Sequence, residues 1–521
     1  MPELGPGVYA PRDFNAAVAF IDRHVQEGRG ERVAVIDDYG ATTYAGLLEQ
    51  VNCAGNALRG LGLRQESRVA MIMQDSVLFP AVFWGAIKAG IIPIPLNTLL
   101  HTHDYSSILA DSRAQVVIVS ESLLTEVRPA LAGQRCLDTL VVDGTPGAGE
   151  HTLSDLMAAA EPALEAAPTT ADDVAFWLYS SGSTGTPKGV LHLHRHLGAT
   201  AELYARGVLG IEPDDVIFSA AKLFFAYGLG NGMTFPFAVG ATAVYLAGRP
   251  TPEAVMDVMR RQQPTIYGGV PTLYAAILAD EANSRDTGSQ RLRRCLSAGE
   301  ALPREVGERW QARFGAEILD GVGSTEMLHI FLSNRPGAVR YGTSGEPVPG
   351  YQVRLADEQG HDVAVNEVGE LLVNGPSACM AYWNRRDKSL DTFEGRWTRT
   401  GDKYYRDDDG YYHYCGRTDD MFKVSGQWVS PFEVESALIG HDQVLEAAVV
   451  PCETDDELIK PKAFVVLKQG GHGDAQLVED LQHFVKDRIT PVKYPRWIEF
   501  IDELPKTATG KIQRFKLRAR T

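Results

Sequence analysis

The stretch 179–190, Tyr-Ser-Ser-Gly-Ser-Thr-Gly-Thr-Pro-Lys-Gly-Val, sets hydroxyls, glycines and one lysine side by side. Glycines are costly inside a helix or strand, so the stretch reads as an exposed turn. A turn of this kind offers backbone N–H groups, hydroxyls and an ammonium together, the donor set that a polyphosphate needs. It is not the phosphate loop of kinases and GTPases, where lysine directly precedes Ser or Thr; here Lys188 stands between Pro187 and Gly189. A flexible Gly/Ser linker is the plain alternative. Against it stands the apolar run 174–178, which reads as a buried strand feeding a functional turn. A second candidate lies at 505–511, Pro-Lys-Thr-Ala-Thr-Gly-Lys, within a stretch 505–521 that holds six basic residues and no acidic one. A solvated basic tail is the plain reading, but Pro505 and the Thr-Gly-Lys turn hold Lys511 out like a residue meant for an anion.

A scaffold must position these groups. At 521 residues the chain exceeds one hydrophobic core, which implies two or more domains. From about 30 to 330, strand-like runs (68–73, 115–119, 139–142, 241–245) alternate with helical periodicity (44–61, 251–263). Such alternation predicts an α/β fold of parallel sheets covered by helices, with ligands at the carboxyl ends of the strands. The run 179–190 is expected at that position of its own strand. Past about 340 the style changes to hairpins at 351–355 and 369–373, an acidic aromatic tract at 404–414, and then an αβ piece with a strand at 447–450 and a helix at 477–488. The main boundary is placed at 417–420, giving domains 1–418 and 419–521.

The net charge of −17 argues against nucleic acid or an anionic membrane as partner. The six cysteines contain no C-x-x-C, so neither zinc nor a disulfide framework is indicated, and a reducing, cytoplasmic setting is expected. The N-terminus lacks the pattern of a signal peptide. The most apolar window, 79–96, is broken by Pro80, Lys88, Pro93 and Pro95 and predicts a helix followed by a buried strand rather than a membrane span.

Between the two candidate loops stand three further motifs: Gly321-Val-Gly-Ser-Thr-Glu326, Thr400-Gly-Asp402 and Gly416-Arg-Thr-Asp-Asp420. In this order the five resemble the adenylate-forming superfamily of acyl- and aryl-CoA synthetases, peptide-synthetase adenylation domains and firefly luciferase. The resemblance implies that a carboxylate attacks the α-phosphate of ATP, expelling pyrophosphate, with Mg²⁺ and coenzyme A as the other small molecules. It assigns Ser180, Ser181, Gly182, Ser183, Thr184, Gly185 and Lys188 to the β- and γ-phosphates. Glu326 would be the Mg²⁺ ligand, since a hard dication wants carboxylate oxygen. Gly299, Glu300, Gly321, Val322, Ser324 and Thr325 would frame the nucleotide, Asp402 would accept from the ribose hydroxyls, and Arg417 would brace ribose or phosphate. Lys511 would bridge the carboxylate and the α-phosphate, acting with Thr184 and Glu326 as the catalytic groups. By residue type alone Glu326 and Arg417 are surface charges and Asp402 a turn residue. Many relatives carry an aromatic residue where this chain has Val322, so adenine would lie against an aliphatic face. The resemblance also implies a small β-barrel-like subdomain in the large N-terminal domain, and a small mobile α+β C-terminal domain turning about Asp419. That rotation would withdraw Lys511 and open a coenzyme A path at Lys423, Ser425 and Gly426; for Lys423 a salt bridge to Asp420 is an equal reading.

The acid is read from 222–231, Lys-Leu-Phe-Phe-Ala-Tyr-Gly-Leu-Gly-Asn, which has no acidic residue. A buried α-ammonium would be unpaired there, so amino-acid substrates are disfavoured. Phe224, Phe225 and Tyr227 suit a flat ring, with ordinary core packing as the alternative. Together with 321–334 the segment resembles benzoate-CoA ligases. That implies a ring pocket of Ala226, Tyr227, Ala298, Gly323, His329 and Ile330, in which Ala298 and Gly323 leave room and Tyr227 and Ile330 close faces and end. His329 is either a core histidine bonded to backbone or a contact to the carboxylate edge or a ring hydroxyl. The expected function is an ATP-dependent, AMP-forming benzoate-CoA ligase serving aromatic compound degradation. The alternatives are a ligase for 4-hydroxy-, 2-amino- or halobenzoate, a medium-chain acyl-CoA synthetase, or a carrier-protein partner with no coenzyme A step. A homodimer stays open.

Overall fold

The computed structural model of the chain describes residues 10–181, 187–418, 420–424, 427–453, 459–468, 471, 473–490, 493–506 and 512–520. Two sheets dominate the first four hundred residues. One is all parallel, in the order Ile92–Pro95, Arg68–Ile72, Val116–Ser120, Thr139–Asp143, His151–Thr152. Every residue of Val116–Ser120 is buried, as expected of a strand covered on both faces. The helices Tyr44–Gly60 and Leu78–Lys88 meet at a glycine pair, where a Cβ on Gly55 would lie 2.7 Å from the Gly85 carbonyl oxygen. The 79–96 window is accordingly a helix and then the strand Ile92–Pro95.

The larger sheet has nine strands, in the order Glu346–Pro347, Ile330–Ser333, Ile318–Gly323, Arg294–Ser297, Ile266–Gly269, Val216–Ser219, Thr242–Val244, Val33–Asp37, Gly40–Thr43. Its middle pairings are parallel and both edges antiparallel. The strands ending at Ser219, Gly269, Ser297 and Gly323 are therefore consecutive neighbours, and their carboxyl-end loops share one rim.

The glycine-rich run departs from its expected setting. Strand Val174–Ser181 pairs antiparallel with Pro187–Leu193, Ser181 facing Pro187, so the run lies between the two strands of a hairpin and not after a parallel strand. Phe176, Trp177 and Leu178 are all buried, and a hairpin covered on both faces has the same unbroken apolar pattern as a parallel strand. Residues 379–383 flank this hairpin: Met380 N–H donates to Leu191 O (2.9 Å), Leu191 N–H to Ala381 O (3.1 Å) and Trp383 N–H to Gly189 O (2.8 Å).

The hairpin-rich region forms a five-stranded antiparallel sheet that includes Gln352–Ala356, Gly369–Asn374, Trp397–Arg406 and Tyr412–Arg417. After it, Val444–Glu453, Ile459–Leu467 and Trp497–Phe500 form a three-stranded sheet beside the helices Pro431–Ile439 and Ala475–Lys486. Ser430 and Asp474 cap these helices, accepting from Glu433 N (3.1 Å) and Leu477 N (2.8 Å). The two buried clusters of this region, which include Val429, Leu438, Phe464 and Leu481, have no member before Phe422. The basic end is not a solvated tail: in helix Arg514–Arg518, Leu517 is buried beside Val450 and Phe464, and Arg514 donates to both oxygens of Glu435 at 2.8 Å.

Candidate functional site

On the phosphate hairpin, Ser180 stands opposite Lys188, and its buried Oγ has no hydrogen-bond partner. Gly182, Ser183, Thr184 and Gly185 lie outside the described residues, and Ser181 is placed by its backbone alone. The Lys188 ammonium sits over the Tyr382 ring, 4.6 Å from its centroid. Burial lowers the Lys188 pKa, while the Glu326 carboxylate opposes that shift. Tyr382 Oη in turn donates to Glu326 Oε1 at 2.8 Å. The chain thus brings Lys188 and Glu326, 138 positions apart by number, to one aromatic ring. Among the described residues no cluster of three His, Cys, Asp or Glu side chains could hold a metal by itself. A lone half-buried carboxylate fits a hydrated dication that takes its other ligands from water and phosphate.

The backbone around Glu326 is held from several sides. His192 Nε2 donates to Thr325 O at 2.8 Å, Cys379 N–H to Glu326 O at 2.7 Å, and Met327 N–H to Ser324 Oγ at 3.2 Å. Leu328 has φ 64°, a left-handed backbone on a bulky residue. Strain of that kind persists where surroundings over-determine the turn.

Of the residues expected around the nucleotide, Gly299, Glu300, Gly321 and Val322 fall on the rim of the large sheet, and Asp402 and Arg417 on the five-stranded antiparallel sheet. Gly299, directly after the strand Arg294–Ser297 and Ala298, has φ 94° with open space where a Cβ would be, so its conformation is what requires glycine. Glu300 follows it, and Val322 lies half-buried opposite Leu332. Gly321 is needed by its hairpin, since a Cβ there would lie 2.5 Å from Leu332 O. Asp402 and Arg417 face each other across two strands, with Arg417 Nη1 donating to Asp402 Oδ1 at 2.9 Å. The carboxylate holds the Arg417 pKa above its ordinary value.

The acid segment is anchored by charge: the Lys222 ammonium lies 3.5 Å from Asp75 and donates to Ala247 O at 3.0 Å. Ala226 opens a short helix, and Tyr227 Oη lies 3.0 Å from Gly269 O and 2.9 Å from Leu296 O, so it donates to two strand ends and fixes its ring at the rim. His329 stacks on that ring (centroids 5.7 Å, 25°) and is enclosed by Tyr204 and Phe235. Burial pushes the His329 pKa down to about 3, so it is neutral, and a backbone contact to Tyr227 opposes that shift. The reading of His329 as a core histidine bonded to backbone therefore stands beside that of a substrate contact. Ala298 and Ile330 are buried beside it. At Gly323 a Cβ would lie 2.5 Å from His329 O, so close strand approach by itself requires the glycine.

Lys423 is placed by backbone only, in the strand Phe422–Val424, so its expected salt bridge to Asp420 lies outside the described side chains; Asp420 pairs with Arg514 and Arg518. Asp419, Ser425, Gly426 and Lys511 lie outside the described residues. Three site residues escaped the sequence reading: Tyr382, His192 and Asp320. Asp320 is buried at the start of the 321–326 motif, its Oδ1 unpartnered, and burial raises its pKa to about 8. An acid inside the apolar strand Ile318–Gly323 was the available signal. Tyr382 and His192 carried none, because each acts across more than 50 positions.

Comparison with known proteins agrees with this geometry. Residues 21–383 match the model of the AMP-binding enzyme family and residues 433–511 that of the AMP-binding enzyme C-terminal domain. The chain is 58% identical over 517 residues to a benzoate–CoA ligase of Thauera aromatica, covering 99% of this chain and 97% of that one. Its fold is similar to that of a benzoate CoA ligase from Burkholderia xenovorans LB400, with TM-score 0.91, 52% identity, and coverage of 97% and 100%. It is also similar to an anthranilate CoA ligase in complex with anthranoyl-AMP, with TM-score 0.94, 41% identity and 98% coverage of both chains. With both family models matched in order along one chain, and a relative 58% identical over nearly its full length, the protein belongs to the AMP-binding enzyme family.

Proposed function

We propose that the chain is a benzoate–CoA ligase that uses ATP, Mg²⁺ and coenzyme A. The observation that carries this reading is the uncharged aromatic wall of Tyr227 and His329, with His329 in the same short segment as Glu326, which shares the Tyr382 ring with Lys188. The 58% identity to a benzoate–CoA ligase supports it. In the first half-reaction a benzoate oxygen attacks the α-phosphorus; the α–β bridging P–O bond breaks and pyrophosphate leaves. Lys188 and the hairpin loop meet the charge on the β- and γ-phosphates, and Asp402 with Arg417 orients the ribose. Mg²⁺ held at Glu326 supplies positive charge to the phosphate oxygens. In the second half-reaction the coenzyme A sulfur attacks the acyl carbon, the thiol proton is lost, and AMP leaves. Lys511 is assigned to the first step and the Lys423, Ser425, Gly426 stretch to the second. The chain divides into 1–418 and 419–521, turning about Asp419, and acts in the cytoplasm.

A second reading, a hydroxy- or aminobenzoate, is favoured by the buried neutral ring of His329, which can offer a nitrogen to a ring substituent. The test is acid-dependent pyrophosphate–ATP exchange with a panel of benzoates, followed by thioester formation with free coenzyme A. Benzoate should give the highest kcat/KM. A preference for a hydroxylated ring by tenfold or more favours the second reading, since one buried unpaired hydroxyl is worth about 1–3 kcal/mol. No exchange with any aryl acid contradicts both.

A further inference from the structure

Tyr382 joins two groups that the mechanism places on different parts of ATP. Its segment, 379–383, is hydrogen-bonded to the strand that carries Lys188 and, through Cys379 N–H, to the carbonyl of Glu326. The side chain is 5% exposed, and its ring packs on Phe393 with centroids 5.1 Å apart. Its backbone N–H donates to Ser389 Oγ at 3.1 Å. One ring therefore presents a hydroxyl to Glu326 and a π face to Lys188 from an immobilised position.

We propose that Tyr382 is a positioning residue for adenylation: its hydroxyl holds one oxygen of Glu326 so that the other is aimed at the metal ion, and its ring holds the Lys188 ammonium apart from that carboxylate. The inference rests on Glu326 being the metal ligand. A phenol donating to a carboxylate makes a charge-assisted bond that restricts carboxylate rotation. The cation–π contact gives the ammonium a partner that does not quench it. Without the ring, Lys188 and Glu326 would pair directly, each neutralising the other before nucleotide arrives.

The two functions separate by substitution. Tyr382→Phe keeps the π face and removes the hydroxyl, whereas Tyr382→Leu removes both. Free Mn²⁺ is followed by electron paramagnetic resonance as it is titrated into the full-length enzyme with a non-hydrolysable ATP analogue. Binding of the analogue without metal, and of AMP, is measured in parallel, AMP binding serving as the check on folding. Tyr382→Phe should weaken Mn²⁺ binding about tenfold, the scale of one hydrogen bond to a charged group, and leave metal-free analogue binding unchanged. Tyr382→Leu should weaken both. Wild-type Mn²⁺ affinity in Tyr382→Phe, with affinity lost in Glu326→Gln, overturns the role of Tyr382 alone. Wild-type affinity in both variants overturns the assignment of Glu326 as well.

Discussion

A Cβ at position 323 would meet the carbonyl oxygen of His329 at 2.5 Å, so glycine there serves the turn that presents His329 before it serves any substrate. Gly323→Ala should therefore cost about 1–3 kcal/mol of stability. It should also lower kcat/KM by similar factors for benzoate and for smaller acids, as read from thermal melts and steady-state rates. Loss of benzoate activity alone, at unchanged stability, would return Gly323 to a pocket wall. The turn at 179–190 stood out in the sequence because few chemistries other than anion binding want Gly, Ser, Thr and Lys together. What each side chain touches was not legible: Tyr382 and Glu326 are 56 positions apart, and only the fold brings the phenol to the carboxylate. His329 was legible as a residue of interest but not in its state. Its neutrality follows from enclosure by Tyr204, Tyr227 and Phe235.

Among the elements, the C-terminal helix Arg514–Arg518 shows how local charge sets a larger arrangement. Arg514 is held by buried Glu435, which also accepts from Val449 N–H at 2.8 Å, so one carboxylate ties the last helix to the strand Val444–Glu453. Glu435→Gln leaves the guanidinium without its main counter-charge, and breaking such a pair costs about 3–5 kcal/mol. Limited proteolysis should then cut the region after 420 first. Adenylation should fall more than AMP binding, because Lys511 lies three positions before Arg514. Equal loss of the two, or no change in proteolysis, would contradict this anchoring. Periodicity gave the right strands and helices at 44–61, 68–73, 139–142, 251–263 and 369–373, where pattern and burial agree. It misplaced 174–193, since an apolar run does not distinguish a doubly covered hairpin strand from a parallel one.

Over the whole molecule, buried neutral histidines set the response to acid. Burial lowers His24, His192 and His194 to about 4, His329 to about 3, and His196 well below its ordinary value. In the unfolded chain these groups titrate near 6.5. Between about pH 6.5 and 4 the unfolded state therefore binds protons that the native state excludes. Their contribution is present above pH 6.5 and lost as pH falls through that window. Asp320 acts oppositely: raised to about 8, it weakens stability as pH rises from about 4 to 8, and burial raises Asp75 and Asp143 in the same direction, but these are three groups against five. The melting temperature should fall steeply from pH 6.5 to 5, and a flat profile over that range would contradict neutral burial. The order of motifs along the chain made the reaction class legible, whereas the geometry that couples them depends on which strands become neighbours. The central claim is that the acid attacks the α-phosphorus of ATP. It is tested most directly by a single turnover with benzoate labelled with ¹⁸O in its carboxyl group, followed by coenzyme A and mass spectrometry of the products. The account predicts one ¹⁸O atom in AMP and none in pyrophosphate; label in inorganic phosphate, with ADP as the nucleotide product, would contradict it.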